Sequence, residues 1–142
     1  MLDILKHAHS GLRWVVLALL IAAIVKAFSG KKGGKTMNSE DKKVPLFALI
    51  ATHTQVLLGL IMYFISPYVV FAADTMKDSM KRFYTMEHIL LMVIAVILIT
   101  IGYSKAKKSS NWKPLFTYYL IGLILILVSI PWPFRNLGAG WF

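Results

Sequence analysis

The stretch VPLFALIATHTQVLLGLIMYFIS fills residues 44 to 66 and contains no Lys, Arg, Asp or Glu. A run of about 20 apolar residues is long enough to cross a ~30 Å hydrocarbon layer as an α-helix, because each residue adds about 1.5 Å along the axis. The strongly polar side chains His53 and Gln55 lie near its middle. This stretch therefore predicts a membrane-spanning helix that carries a few polar groups.

Similar apolar runs occur three more times along the chain. We expect four spans, at approximately residues 4–28, 44–66, 82–104 and 114–132. The intervening segments 29–43, 67–82 and 104–114 are rich in Gly, Ser, Asn, Lys and Pro, as is typical of loops. Loops this short join antiparallel neighbours. The predicted fold class is therefore all-α, an integral membrane four-helix bundle that forms a single domain over residues 1–142.

The composition points the same way, because 58% of the residues are hydrophobic and 15% are charged. A soluble domain carries roughly a quarter charged residues, and a short globule could not bury so much apolar surface. An ordinary soluble enzyme is excluded, and so are disorder and collagen-like repeats. Because the chain has no cysteine, disulfides, thiolate metal sites and covalent c-type haem attachment are excluded as well.

The net charge of +10 is unevenly distributed. Ten lysines lie in or beside the first and third loops, namely Lys26, Lys31, Lys32, Lys35, Lys42, Lys43, Lys105, Lys107, Lys108 and Lys113. By the positive-inside rule we expect these loops to be cytoplasmic and both termini to be periplasmic in a bacterial inner membrane. The lysines either fix topology alone or also contact anionic lipid in the bilayer, and no nucleic-acid partner is expected.

Ionisable residues within apolar spans are costly, so they are functional candidates. All four histidines lie in or beside spans: His7 and His9 in the first, His53 in the second and His88 in the third. The helical rise puts His9 about 10 Å and His88 about 7 Å to the periplasmic side of the span centres, with His53 about 5 Å to the other side. His7 lies about 200° around the helix from His9. His9 and His88 are therefore the best-matched pair.

Two histidines at one level on different helices are typical of a b-type haem site in a four-helix bundle. We predict one non-covalent haem b with its iron bound by His9 and His88, while His53 and His7 are weaker metal-ligand candidates. Small residues are expected to make the slot for the flat macrocycle: Ala18, Ala22, Gly59, Ala95 and Gly122.

The propionates of a haem need cationic partners. Arg13 lies one helical turn from His9, and Arg135 follows the fourth span on the same side of the membrane. A guanidinium can donate two parallel hydrogen bonds to one carboxylate, so both arginines are predicted to bind the cofactor.

The predicted function is electron transfer near the periplasmic side, to or from a quinone or a partner protein. Glu87 or Tyr84 is predicted to handle a proton if quinol takes part.

Two other functions remain open. Membrane histidines also hydrogen-bond neighbouring helices, Gly and Ala also mark close helix packing, and Glu87 could pair with Arg13 or a histidine. The chain would then be a non-catalytic subunit or scaffold of a larger complex, as a homo- or hetero-oligomer. A proton or solute carrier using Glu87, His88 and Arg13 is disfavoured because there is no helix break at mid-membrane and no inverted repeat.

Four motifs occur in order along the chain: HSGLRW at 9–14, QVLLGLIMY at 55–63, EHILLM at 87–92 and IPWPFR at 130–135. Together they resemble a family of small four-span bacterial membrane proteins labelled cytochrome b or cytochrome B subunit, seen especially in Bacteroidetes-type bacteria. The resemblance covers nearly the whole chain. It implies that His9 and His88 are shared histidines and that Arg13, Glu87 and Arg135 are shared polar positions.

The chain departs from the dihaem four-helix cytochromes, which carry paired histidines on each ligating helix. Its four histidines, distributed as they are, imply at most one bis-histidine haem. Electron transfer across the whole membrane within this chain alone is therefore not expected.

Overall fold

The computed structural model describes residues 1–142, which form four long helices and no strands. These are α1 (Leu2–Lys32), α2 (Lys43–Ile65), α3 (Ser79–Ser109) and α4 (Trp112–Ser129). Short 3-10 helices occupy Glu40–Lys42 and Pro133–Arg135. All four long helices have the length and apolar composition needed to cross a membrane. The prediction of an all-α, multi-pass membrane bundle is confirmed.

The four helices pack in a ring in which neighbours along the chain touch. The most extensive contact is between α3 and α4, and α1 packs against both α2 and α4. Contact between α2 and α3 is the smallest among neighbouring pairs. The bundle is therefore most tightly packed along α4 and loosest between α2 and α3.

The first predicted loop is shorter in the structure than in the prediction, because α1 continues to Lys32. Lys31 and Lys32 lie in its last turn, where cations favour the carbonyl end of the helix dipole. Soon after, Gly34 adopts a φ of +65°, which glycine reaches without a Cβ penalty. Lysine-rich sequence that looked like a loop is thus the polar end of the helix.

The third predicted loop, residues 104–114, is also shorter in the structure. Because α3 continues to Ser109 and α4 begins at Trp112, only Ser110 and Asn111 lie between them. Asn111 caps the start of α4, since its side-chain oxygen accepts the backbone N–H of Lys113 at 3.0 Å. At the other end α4 stops at Ser129, before the predicted residue 132. Ile130 is extended because it precedes Pro131, whose ring disfavours a helical residue before it.

Glycines bring the helices close together. A methyl group at Gly102 would lie 2.5 Å from Cβ of Tyr118, and one at Gly122 would lie 2.7 Å from Cγ1 of Ile99, so both tighten the contact between α3 and α4. A methyl group at Gly30 would collide with the indole of Trp112. Small residues at such positions let helix backbones approach, as expected in a membrane bundle.

Candidate cofactor site

A cavity of about 300 Å³ lies between α1, α2 and α3, where the bundle is loosest, and it extends to the C-terminal segment. This volume is at the lower end of the range for small-molecule sites, about 300–1,000 Å³. The polar residues and the glycine on which its chemistry depends are His9, Arg13, Gln55, Gly59, Tyr84 and His88.

The imidazoles of His9 and His88 both line this cavity and lie close to each other. Their ring centroids are 6.4 Å apart and their planes are inclined by 73°. His9 comes from α1 and His88 from α3, so the contact spans two helices that are far apart in sequence. The two histidines that were matched by depth along their spans are therefore brought together.

The protonation of the His88 ring follows from its contacts with the end of α4. Nδ1 lies 2.8 Å from the carbonyl oxygen of Ser129 and 3.1 Å from its hydroxyl. A carbonyl oxygen can only accept a hydrogen bond, so Nδ1 carries the proton and donates it. Nε2 then holds the free lone pair, which is the arrangement typical of metal-binding histidines.

The His9 ring is held by α2. Nε2 of Gln55 donates to the backbone carbonyl of His9 at 2.8 Å. A methyl group at Gly59 would lie 3.1 Å from Cε1 of His9, so the absence of a side chain there makes room for the ring. Nδ1 of His9 is enclosed and has no hydrogen-bond partner, and the side-chain oxygen of Gln55 is in the same situation. Because Nδ1 is enclosed, Nε2 is the more accessible of the two His9 ring nitrogens.

Arg13 is the one buried charged residue of the chain, with 7% of its surface exposed. One Nη2 hydrogen bond goes to the carbonyl of Trp141, and Nε has no partner. The guanidinium carbon lies 5.3 Å from the ring centroid of Trp14 and 5.8 Å from that of Trp132. Its neighbours thus supply aromatic faces and a carbonyl, but no negative charge.

The acids of the chain are all engaged elsewhere. Five form ion pairs, which are Asp3 with Lys6, Glu40 with Lys43, Asp41 with Lys26, Asp74 with Lys81 and Glu87 with Arg82. The sixth, Asp78, caps the start of α3. The hydrogen bond from Lys81 lowers the pKa of Asp74, which keeps that carboxylate charged. No side-chain carboxylate therefore pairs with Arg13, and an anionic group in the cavity would stabilise its charge.

A π-helical turn, Phe83–Glu87, precedes His88 directly. Such turns contain an extra residue, leave carbonyls without their usual partners and are frequent at functional sites. Here Tyr63 on α2 donates its hydroxyl to the carbonyl of Thr85 at 2.8 Å. The turn therefore ties α2 to α3 beside the cavity. Apolar periodicity gave no sign of it, since the residues involved also suit an α-helix.

Arg135 does not line the cavity. Its Nη1 donates to the carbonyls of Val128 and Ile130, at 2.9 and 3.0 Å, and its guanidinium carbon lies 5.0 Å from the ring centroid of Phe83. A cation at this position satisfies free carbonyls at the end of a helix. The structure thus gives Arg135 a capping contact with α4, outside the cavity lining, and Phe83 lies between it and His88.

The two predicted proton-handling residues differ in position. Tyr84 lines the cavity and donates its hydroxyl to the carbonyl of Leu137 at 2.6 Å. Glu87 lies outside the cavity, where its Oε1 accepts a hydrogen bond from Nε of Arg82 at 2.7 Å. The alternative in which Glu87 pairs with Arg13 or a histidine is not formed, because Glu87 pairs with Arg82, five residues earlier on α3.

The other histidines are not part of the pair. Nε2 of His53 lies 2.9 Å from the hydroxyl of Thr100, a hydrogen bond between α2 and α3. His7 is exposed at the edge of the cavity. The structure contains no group of three or more His, Cys, Asp or Glu side chains arranged to hold a metal ion.

Of the small residues predicted to make a slot, Gly59 and Ala95 line the cavity. The prediction is wrong for Ala18 and Ala22, which are exposed on the outside of α1. They lie about 140° and 180° around the helix from Arg13, so they face away when Arg13 points inward. It is also wrong for Gly122, which packs α4 against α3.

The segment after α4 returns to close the end of the cavity. The carbonyl of Trp141 accepts hydrogen bonds from Arg13 and from Nε1 of Trp14, the latter at 2.9 Å. Gly138 adopts a φ of +79° and lines the cavity next to Leu137, whose carbonyl accepts from Tyr84. Sequence reasoning missed this contact because the acceptors are backbone carbonyls, which every residue type provides.

No protein-family model, curated protein or solved structure matches the chain. The resemblance to the small four-span cytochrome-b-like proteins therefore stays a prediction, and the functional argument depends on the cavity itself.

Proposed function

We propose that this chain is a b-type haem-binding membrane protein that transfers electrons, with one non-covalent haem held between His9 and His88. The observation that carries the proposal is the proximity of the two imidazoles in the lining of one cavity, at 6.4 Å between ring centroids. Two further observations support the proposal. Nε2 of His88 keeps a free lone pair, and the charge of buried Arg13 is not paired with any side-chain carboxylate.

The distance between the rings suits ligation of a single iron. With metal–nitrogen bonds of about 2 Å and a ring centroid about 1 Å behind each nitrogen, two imidazoles on opposite sides of one metal have centroids roughly 6 Å apart. The observed spacing agrees with this figure. Each ring can turn about its own bond to the metal, so an inclination of 73° between the planes is compatible with it.

Two protein ligands suffice for a haem, because the macrocycle supplies four nitrogens and leaves two axial positions. A bare metal ion usually needs three or four protein ligands, and no such group is assembled here. The donor set therefore favours haem. When bound, haem supplies a one-electron couple between ferric and ferrous iron.

The chain's own groups would bind and tune the cofactor. The Ser129 carbonyl keeps Nδ1 of His88 protonated and so directs Nε2 to the metal. Gly59 leaves room for the His9 ring. Arg13 would balance a propionate, and the apolar walls would exclude water, which affects the reduction potential.

Localisation and partners follow as part of the proposal. The ten lysines of the first and third connections lie at the end of the bundle opposite the cavity. With that end cytoplasmic, the haem would lie near the periplasmic face of a bacterial inner membrane, with both chain termini on that side. The electron partner would be a membrane quinone or another protein of a larger complex, and Tyr84 is the cavity residue available for a proton.

The test is an absorption spectrum of the detergent-purified protein from cells supplied with haem. We expect sharp b-type bands in the reduced-minus-oxidised difference and about one haem per chain. His9→Ala and His88→Ala should abolish the bands, while the matched control His53→Ala should retain them because neither His53 nor its partner Thr100 lines the cavity. A colourless wild-type protein would contradict the proposal and favour the non-catalytic subunit.

A further inference from the structure

Lys6 lies in the first turns of α1 and lines the same cavity as His9 and Arg13. It precedes His9 by three residues and Arg13 by seven. Seven residues correspond to nearly two full turns, so Lys6 and Arg13 lie on one helix face about 20° apart and about 10 Å apart along the axis. Two cations therefore flank His9, one on each side along α1.

The ammonium group of Lys6 is available for a ligand. Its nearest acid is Asp3, at 3.9 Å, and the two side chains are 40% and 90% exposed. An exposed ion pair with this spacing contributes little. Nζ also lies 5.5 Å from the ring centroid of Tyr68, which lines the cavity. The Lys6 side chain therefore lies beside Tyr68 in the cavity lining, and it remains partly exposed.

Arg135 has no such freedom. Its Nη1 is committed to two carbonyls at the end of α4, and the residue is absent from the cavity lining. Arg13 alone could balance one carboxylate, whereas the cofactor proposed above carries two. A cation for the second carboxylate would come from another residue of the cavity lining.

We infer that Lys6 is the second carboxylate-binding residue of the cavity, acting together with Arg13, and that Arg135 does not contact the ligand. This inference rests on the proposed haem site and deepens it, because it fixes how the ligand enters. Helical side chains lean toward the N-terminus of their helix, so both cationic heads point to the end of the bundle where α1 begins. The carboxylate edge of the ligand faces that end.

The test compares haem with haem dimethyl ester, in which both carboxylates are blocked. Each compound is titrated into the purified, haem-free full-length protein in detergent, and the dissociation constants are measured by absorption. We expect Lys6→Gln to weaken haem binding roughly threefold to tenfold, the size of a partly exposed charge pair, and to leave ester binding within about twofold of wild type. Lys6→Arg, which keeps the positive charge, should bind haem as tightly as the wild type.

Two further variants separate a direct contact from a general effect of charge. Lys77→Gln removes an exposed lysine outside the cavity and should change neither affinity. Arg135→Gln should affect haem and ester equally, because Arg135 contacts the end of α4 and Phe83 and does not line the cavity. The inference is overturned if Lys6→Gln binds haem like wild type, if it weakens both compounds equally, or if Arg135→Gln shows the loss confined to haem. A wild-type protein that binds neither compound overturns the proposed function itself.

Discussion

His88 on α3 donates its Nδ1 proton to the backbone carbonyl of Ser129, the last residue of α4, across 2.8 Å. This bond sets the tautomer of the ring and its orientation toward His9, 6.4 Å away between centroids. A metal-binding histidine usually has such a partner on its second nitrogen. The most tightly packed helix pair, α3 and α4, thus supplies a rigid base for one half of the candidate site.

Because the acceptor is a carbonyl, the Ser129 side chain should matter little to the cofactor. We expect Ser129→Ala to keep the haem-to-protein ratio of the wild type, while the lost hydroxyl contact lowers the free energy of unfolding by about 0.5–1.5 kcal/mol. Haem extraction and thermal unfolding in detergent measure the two effects. Loss of haem in Ser129→Ala would mean that the hydroxyl, at 3.1 Å from Nδ1, orients the ring.

Gly59 should be necessary for the position of the His9 ring. A methyl group there would lie 3.1 Å from Cε1 of His9, so the ring must shift. We expect Gly59→Val to cost about 1–3 kcal/mol of overpacking and to reduce haem content sharply. Gly11→Val is the matched control, since nothing lies within 4 Å of the Cβ that it adds. Equal haem content in both variants would show that Gly59 does not shape the site.

Arg13 should anchor the C-terminal segment as well as a ligand. Its Nη2 donates to the carbonyl of Trp141, so Arg13→Gln removes a charge-assisted hydrogen bond. We expect faster amide hydrogen exchange over residues 137–142 and weaker haem binding, whereas Trp141→Leu, which keeps the carbonyl, should retain more of the protection. Unchanged exchange in Arg13→Gln would argue that the segment is held by Trp14 and Tyr84 alone.

His53 should be structural. Its hydrogen bond to Thr100 joins α2 to α3 at 2.9 Å, and interhelical bonds in membranes are worth about 0.6 kcal/mol on average. We expect His53→Ala and Thr100→Val to lower stability by similar small amounts, with no change in the absorption spectrum. The double variant should cost less than the sum of the two single losses. A spectral change in His53→Ala would assign this histidine to the cofactor.

The helical fold was predictable because apolar runs of spanning length leave few alternatives in a membrane. The pairing of His9 with His88 was also accessible, since a constant rise per residue converts sequence position into depth. Helix ends were less predictable. Lysines at residues 31, 32, 107 and 108 continue α1 and α3 beyond the apolar runs, and polar residues at such positions suit a helix end as well as a loop.

The details of the site depended on contacts that residue types do not encode. Arg135 looked equivalent to Arg13 in sequence, yet one caps α4 and the other is buried beside the histidines. The difference arises because the chain turns at Pro131 and Pro133, which directs Arg135 back to the carbonyls of Val128 and Ile130. Ala18 likewise faces away from the cavity, because it lies about 140° around α1 from Arg13, which is buried.

Low-temperature electron paramagnetic resonance of the oxidised, haem-loaded protein tests the His9–His88 ligation most directly. We predict a low-spin ferric signal, because two imidazoles, those of His9 and His88, would hold the iron, and we predict that His9→Ala and His88→Ala each lose it. A high-spin signal in the wild type, or a low-spin signal that survives either substitution, would contradict the account.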